Sequence, residues 1–140
     1  MKDDTPRWLY RFQNYKKAFS LLREAIEPEK ELTQLEKEGG VQRFKFTFEL
    51  AWKTMKDYLE GAGVTLPDRT PAAVIRAAFE FGLVLDCETW LEALDARDKM
   101  TPAYNLISFE QALADIAQSY LAVMYELFVF FSKKEVEYGG

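Results

Sequence analysis

Apolar residues recur every three to four positions along most of this chain, and the pattern is most pronounced over residues 42–59. Drawn as a helix at about 100° per residue, this stretch and the position before it carry one continuous apolar face. The residues of that face are Val41, Phe44, Phe48, Ala51, Trp52, Met55, Tyr58 and Leu59. Four of them are aromatic. The pattern predicts a long amphipathic helix against which a core can be built.

Two large apolar residues of the same stretch, Phe46 and Leu50, fall on roughly the opposite side of this helix. Their neighbours there are polar: Arg43, Thr47, Thr54 and Asp57. A helix that is apolar on two sides has two neighbours, either another helix of the same bundle or a second copy of the chain. Both possibilities stay open from the sequence.

The last predicted helix becomes apolar on nearly all sides beyond Leu121. Its residues Phe128 and Val129, together with Phe46 and Leu50, are therefore candidates for an oligomer interface. We expect a homodimer or a higher homo-oligomer on this basis.

Local signals place the first two helices. Apolar residues at three- and four-residue steps over 8–26 predict a helix of about five turns that is closed by Pro28. Thr33 and Glu36 have the spacing of a capping box, which opens the next helix. The glycine pair at 39–40 predicts a kink or a fresh start before the central helix.

Further capping signals predict the remaining helices. Thr70 and Pro71 form an N-cap and N1 pair, Asp86 can cap a fourth helix, and the last helix is expected to start near Asn105 or Ser108. Strand signals are absent from the sequence. We therefore predict a single all-α domain over residues 1–140, an antiparallel up-and-down bundle of three long and two short helices.

Composition and charge narrow the possible functions. The net charge of −5 gives no global positive field for non-specific nucleic-acid binding. The chain has no histidine, which excludes every His-ligated metal and every His acid or base, so no metal site and no cofactor are expected. The single Cys87 fits a reducing cytoplasm.

No signal peptide is recognised, and the apolar run 121–131 is too short to span a bilayer, so no membrane association is expected.

One cation stands out by its position. Arg97 follows Trp90 and Leu94 by seven and three residues, so it continues the inward face of the fourth helix. A guanidinium directed toward a cleft costs desolvation unless an anion meets it. Alternatively, Arg97 extends outward to solvent, or it neutralises carbonyls at the C-terminus of the helix.

Charged residues of the central helix form several i,i+4 pairs. These pairs are Lys45–Glu49, Glu49–Lys53 and Lys56–Glu60. Such runs are typical of a solvated helix face, and we interpret them in that way.

Three segments together resemble the nucleotidyltransferase substrate-binding proteins, a branch of the HEPN superfamily. They are RWLYRFQNYKKAFSLL, QRFKFTFELAWKTMKDYL, and TPAAVIRAAFEFGLVLDCETWLEALDARD continued to Tyr104. The resemblance implies a homodimeric helical bundle. It also implies that the partner is a minimal nucleotidyltransferase, in a toxin–antitoxin-like pair.

The resemblance also implies a motif for metal-independent ribonuclease activity: Arg, usually Asn, three residues, His, one residue, Tyr. Here Arg97 and Tyr104 match, but Asp98 replaces the Asn and Pro102 replaces the His. We expect a degenerate site that keeps phosphate or nucleotide recognition through Arg97, Lys99 and Tyr104 and has lost the proton shuttle.

This degenerate motif leads to one leading expectation and two alternatives. The leading expectation is a non-catalytic, nucleotidyltransferase-associated protein that binds a nucleotide or RNA. The alternatives are a ribonuclease that still uses Arg97 and Tyr104, and a purely structural dimer. The resemblance further implies that the partner can adenylylate Tyr104.

Overall fold

The protein is a bundle of helices, described here from a computed structural model that covers residues 4–27, 30–100 and 106–139, with the backbone only at 106–109. The described residues contain no strand. The helices are α1 (Arg7–Ile26), α2 (Gln34–Gly61), α3 (Pro71–Phe81), α4 (Cys87–Lys99), α5 (Leu106–Asp115) and α6 (Leu121–Gly139), with a π-helical turn, Ile116–Tyr120, joining the last two. The predicted all-α fold is confirmed.

Helices α1 and α2 form a tight antiparallel pair that buries the polar side of α2. Thr47, Thr54 and Asp57 are all buried, although the sequence suggested a partly solvated side. The two threonine hydroxyls donate to carbonyls one turn earlier, those of Arg43 and Leu50, at 2.7 Å each. Because these hydroxyls are satisfied within α2 itself, the two threonines can be covered by α1 at little cost.

The glycine pair at 39–40 does not interrupt α2, which runs without a break from Gln34 to Gly61. The expected fresh start is therefore wrong. A Cβ atom on Gly40 would lie 3.1 Å from the Leu113 side chain and 3.2 Å from that of Ile26. Gly40 thus allows close approach of α1 and α5 to α2, and this packing outweighs the low helix propensity of glycine.

The predicted caps are confirmed where the residues are described. Thr33 and Glu36 form a reciprocal capping box at the start of α2. Thr70 accepts a hydrogen bond from the backbone of Ala73, and Asp86 accepts one from the backbone of Thr89. Pro28, which was expected to close the first helix, lies outside the described residues, and so does the side chain of Ser108.

Aromatic side chains from α1, α2 and α6 form the centre of the core. Phe131 lies 5.6 Å from Trp8, 5.5 Å from Phe12 and 5.4 Å from Tyr58, measured between ring centroids. Tyr15 is fully buried, and its hydroxyl donates to the Met124 carbonyl at 2.6 Å. Burial raises the pKa of Tyr15 well above its ordinary value, so its hydroxyl stays protonated in the folded protein.

The four candidate interface residues differ in exposure. Phe46 is 62 % exposed, whereas Leu50 and Phe128 are partly buried and pack against the core of the same chain. Phe128 contacts Phe12 and Phe19, with centroid distances of 6.2 and 5.8 Å. Val129 is half-buried. Phe46 is therefore the most open of the four.

The continuous helical stretch Glu110–Gly139 is long and apolar enough to cross a membrane by length and composition alone. In the bundle, however, Val123, Met124, Leu127 and Phe131 on this stretch are buried in the core. Core packing thus accounts for part of its apolar character, and a single helix of this kind is weak evidence for a membrane span.

Candidate functional site

Arg97 lies near the end of α4 and is directed toward α2, which is one of the two orientations that the sequence left open. Its side chain is 21 % exposed, so it is neither sealed in the core nor extended into solvent. Its Cζ atom lies 5.5 Å from the centroid of the Phe48 ring, at the distance of a cation–π contact. The stacked guanidinium is thereby held against the wall of the bundle.

Two carboxylates bind the guanidinium of Arg97. Glu49 of α2 accepts from Nη1 at 2.5 Å, and Asp98 accepts from Nε and Nη2 at 3.1 and 2.7 Å. The positive charge is thus matched by protein groups that occupy the positions of an anionic ligand.

Glu49 is itself shared between two cations. Its second oxygen lies 3.3 Å from Lys53 Nζ, one turn along α2. Partial burial alone would raise the pKa of Glu49, but Trp52, Lys53 and Arg97 together hold it below its ordinary value. The carboxylate is therefore ionised at neutral pH.

The ion pair opens onto a surface cavity of about 510 Å³ between α2 and the end of α4. The residues that line it are Gln42, Lys45, Phe46, Glu49, Arg97, Asp98 and Met100. Lys45 Nζ donates to the Met100 carbonyl at 2.8 Å and so caps the C-terminus of α4. The cavity therefore combines two cations, two carboxylates and an exposed aromatic ring, and we call it the Arg97 cavity.

Lys99 does not share this cavity with Arg97, contrary to the grouping expected from the sequence. It pairs with Asp95 at 2.7 Å and lines a separate cavity of about 910 Å³ between α4 and the α5–α6 helix. That second cavity is mainly acidic, with Glu88, Glu92, Asp95 and Asp115 in its wall. An acidic wall opposes phosphate binding.

Tyr120, at the end of the π-helical turn, forms part of the base of this second cavity. Its ring stacks on Phe44 with centroids 5.7 Å apart. Burial raises the pKa of Tyr120, and the nearby carboxylates of Asp115 and Glu92 raise it further. Its phenol is consequently a poor proton donor or acceptor near neutral pH.

Two members of the sequence-predicted site, Pro102 and Tyr104, lie outside the described residues. The structure adds three residues to the site. The sequence placed Phe48 on the core face of α2, and it placed Lys45 and Glu49 on a solvated face of the same helix. The i,i+4 pattern did contain the Glu49–Lys53 pair, which is confirmed. The other two pairs are replaced: Lys45 donates to the Met100 carbonyl. Lys56 approaches Asp57, and Glu60 binds Arg69.

Comparison with known proteins identifies the family to which this helical bundle belongs. The profile of the family described as "Nucleotidyltransferase substrate binding protein like" matches residues 10–132. This chain belongs to that family. The match spans α1 to most of α6, including α4 with Arg97.

Two similar proteins show how far the likeness extends. A probable ribonuclease HepT from Haemophilus influenzae is 31 % identical over 83 residues, which are 57 % of this chain and 55 % of that protein. The match thus covers about half the length of the curated relative. A crystal structure of a Thermus thermophilus protein superposes with a TM-score of 0.71 at 28 % identity, covering 81 % of this chain and 94 % of the other.

The Arg97 cavity is lined by two cations, Arg97 and Lys45, and both are already engaged by groups of this chain. Arginine and lysine side chains that line a pocket can bind phosphate oxygens. The described residues that line this cavity include neither histidine nor cysteine.

Proposed function

We propose that this protein is the non-catalytic partner of a minimal nucleotidyltransferase and presents a phosphate-containing ligand, a nucleotide or RNA, at the Arg97 cavity. The observation that supports this most directly is the state of Arg97: it is stacked on Phe48, partly buried and matched by Glu49 and Asp98. Family membership supports the nucleotidyltransferase as partner.

Loss of ribonuclease activity follows from the residues around Arg97. Cleavage through a 2′-hydroxyl requires a proton to be moved, and general acid–base help contributes about 10²–10⁴-fold in rate. Pro102 occupies the position of the motif His, and Asp98 adds a negative charge beside Arg97 where an amide is usual. The change at Asp98 weakens attraction for an RNA phosphate, and Pro102 removes the shuttle.

A cleavage assay and a co-purification test the two halves of this proposal. Purified wild-type protein should cleave single-stranded RNA no faster than Arg97→Met, because neither protein has a base. It should co-purify with a co-expressed minimal nucleotidyltransferase encoded beside it. Metal-independent cleavage that Arg97→Met abolishes would instead establish the ribonuclease. Failure of the two proteins to co-purify would contradict the partnership.

We further propose that the protein is a homodimer with Phe46 in the interface. A 62 % exposed Phe on an otherwise polar surface is stabilised when a second copy covers it. Sedimentation should show a dimer for wild type and a monomer for Phe46→Glu. Phe128→Glu is a poorer test, because Phe128 already packs on Phe12 and Phe19 and its change would disturb the fold. A monomeric wild-type protein would contradict the dimer.

Tyr104 is the proposed acceptor of an adenylyl group from the partner. Its hydroxyl oxygen would attack the α-phosphorus of ATP, with loss of pyrophosphate and of the phenolic proton. Intact mass spectrometry after co-expression should show one added AMP on wild type and none on Tyr104→Phe. An adduct that persists in Tyr104→Phe would place the modification elsewhere.

A further inference from the structure

Glu49 occupies the position in which an anionic ligand would meet Arg97. Its carboxylate accepts a charge-assisted hydrogen bond from Nη1. A phosphate oxygen approaching from the Arg97 cavity has to compete for that same donor. The strength of the Arg97–Glu49 pair therefore enters the binding free energy of any such ligand.

Lys53 provides a place for the displaced carboxylate. The other oxygen of Glu49 already lies 3.3 Å from Lys53 Nζ, so Glu49 can leave Arg97 and keep a cationic partner. The pair is also partly solvated, with side chains 21 % and 36 % exposed, which limits the cost of opening it. Glu49 therefore keeps one ion pair when its contact with Arg97 opens.

Asp98 is placed differently and does not fit the same role. It is adjacent to Arg97 in the chain and binds the Nε and Nη2 atoms, and its side chain is well exposed. Among the described residues, no second cation forms an ion pair with Asp98 that could receive it. It supports the guanidinium from one side while Glu49 closes the other.

We propose that Glu49 is an internal competitor for the ligand of Arg97, and that a phosphate group binds by displacing Glu49 onto Lys53. The inference rests on the proposed phosphate-binding function and deepens it. It makes Glu49 the residue that sets the affinity of the site. Weak binding by the wild-type protein is then a built-in property rather than a sign of a lost site.

Phosphate titration of matched charge variants tests this role. Inorganic phosphate is titrated by calorimetry into wild type, Glu49→Gln and Asp95→Asn. Both variants remove one negative charge, but Asp95 pairs with Lys99 in the separate acidic cavity. We expect Glu49→Gln to bind phosphate about tenfold more tightly, and Asp95→Asn to bind as wild type does. AMP in place of phosphate shows whether a nucleoside adds affinity.

The other outcomes are equally decisive. Arg97→Met combined with Glu49→Gln should bind no phosphate, and retained binding would move the site elsewhere. Equal affinity in wild type and Glu49→Gln would overturn the competitor role, as would weaker binding in Glu49→Gln, which would make Glu49 a support for Arg97. Glu49→Ala checks that these effects come from the lost carboxylate and not from misfolding of one variant.

Complete absence of phosphate and AMP binding in Glu49→Gln would overturn the inference and the ligand half of the proposed function together. It would leave the partnership untouched, because co-purification with the nucleotidyltransferase does not depend on phosphate. Failure of ligand binding and failure of the partnership can therefore be told apart.

Discussion

Two arginine–carboxylate pairs attach neighbouring helices to α2, and they differ in their surroundings. Arg11 of α1 binds Asp57 at 3.1 Å, and the Asp57 side chain has no exposed surface. Arg97 of α4 binds Glu49, whose side chain is 36 % exposed at the edge of a cavity. The same chemical pair is thus built once into a helix interface and once into an open site.

The difference lies in what each carboxylate can do when its arginine is removed. Asp57 is enclosed between α1 and α2, and its remaining neighbour is Lys56, 3.7 Å from the second oxygen. Glu49 has Lys53 beside it and water within reach. A buried pair is costly to break because it leaves an unpaired charge, whereas a solvated pair can open reversibly. The Arg11–Asp57 pair therefore stabilises the fold, and the Arg97–Glu49 pair can take part in binding.

The largest expected effect is on Arg11. Replacing it in Arg11→Met leaves the buried Asp57 carboxylate without its direct partner, which should lower the free energy of unfolding by about 3 kcal/mol. Urea unfolding followed by circular dichroism measures it. Phosphate binding by the folded fraction should be unchanged. A loss below about 1 kcal/mol would show that Lys56 suffices for Asp57 and would remove the contrast between the two pairs.

Replacing the arginine of the Arg97–Glu49 pair should have the opposite effects: a small loss of stability and a large loss of phosphate binding. Arg97→Met is expected to lower the free energy of unfolding by less than about 1 kcal/mol, because Glu49 keeps Lys53 and water. In the Glu49→Gln background, the same change should abolish phosphate binding. If Arg97→Met unfolds the protein as strongly as Arg11→Met does, the Arg97 pair is structural and the distinction fails.

The smallest expected effect is a dependence on pH. The pKa of Glu49 lies below its ordinary value of 4.5 in the folded protein, so its ionised form stabilises the fold. That contribution is complete above the unfolded-state pKa and is lost as the pH falls through the lower folded-state pKa. Wild type should therefore lose its stability advantage over Glu49→Gln below about pH 4.5. Unfolding curves at pH 7, 5 and 3.5 measure it, and an advantage that grows in acid would refute this assignment.

Much of the fold could be predicted because its signals are local. Thr33 and Glu36, Thr70 and Ala73, and Asp86 and Thr89 interact across three residues, so the sequence alone places these caps. The apolar period of α2 likewise predicted residues that lie in the core, among them Phe44 and Phe48. Local chemistry and helical period were sufficient for most of the helices, but they left the direction of Arg97 open.

The partners of these helices depend on residues far apart in the chain. Arg97 and Glu49 are separated by 48 residues and Arg11 and Asp57 by 46, so no local pattern pairs them. Lys99, only two residues after Arg97, belongs to a different cavity because successive positions on a helix point in different directions.

Gly40 also shows that local signals do not decide the packing of the helices. Its local propensity is to weaken a helix, but close packing against Leu113 and Ile26 explains its place within an unbroken α2. Hydrogen bonds between near neighbours and the period of apolar residues are determined by the sequence alone. The choice of which charged groups meet, and how much water reaches them, is decided only when the helices pack, because both depend on distances across the bundle.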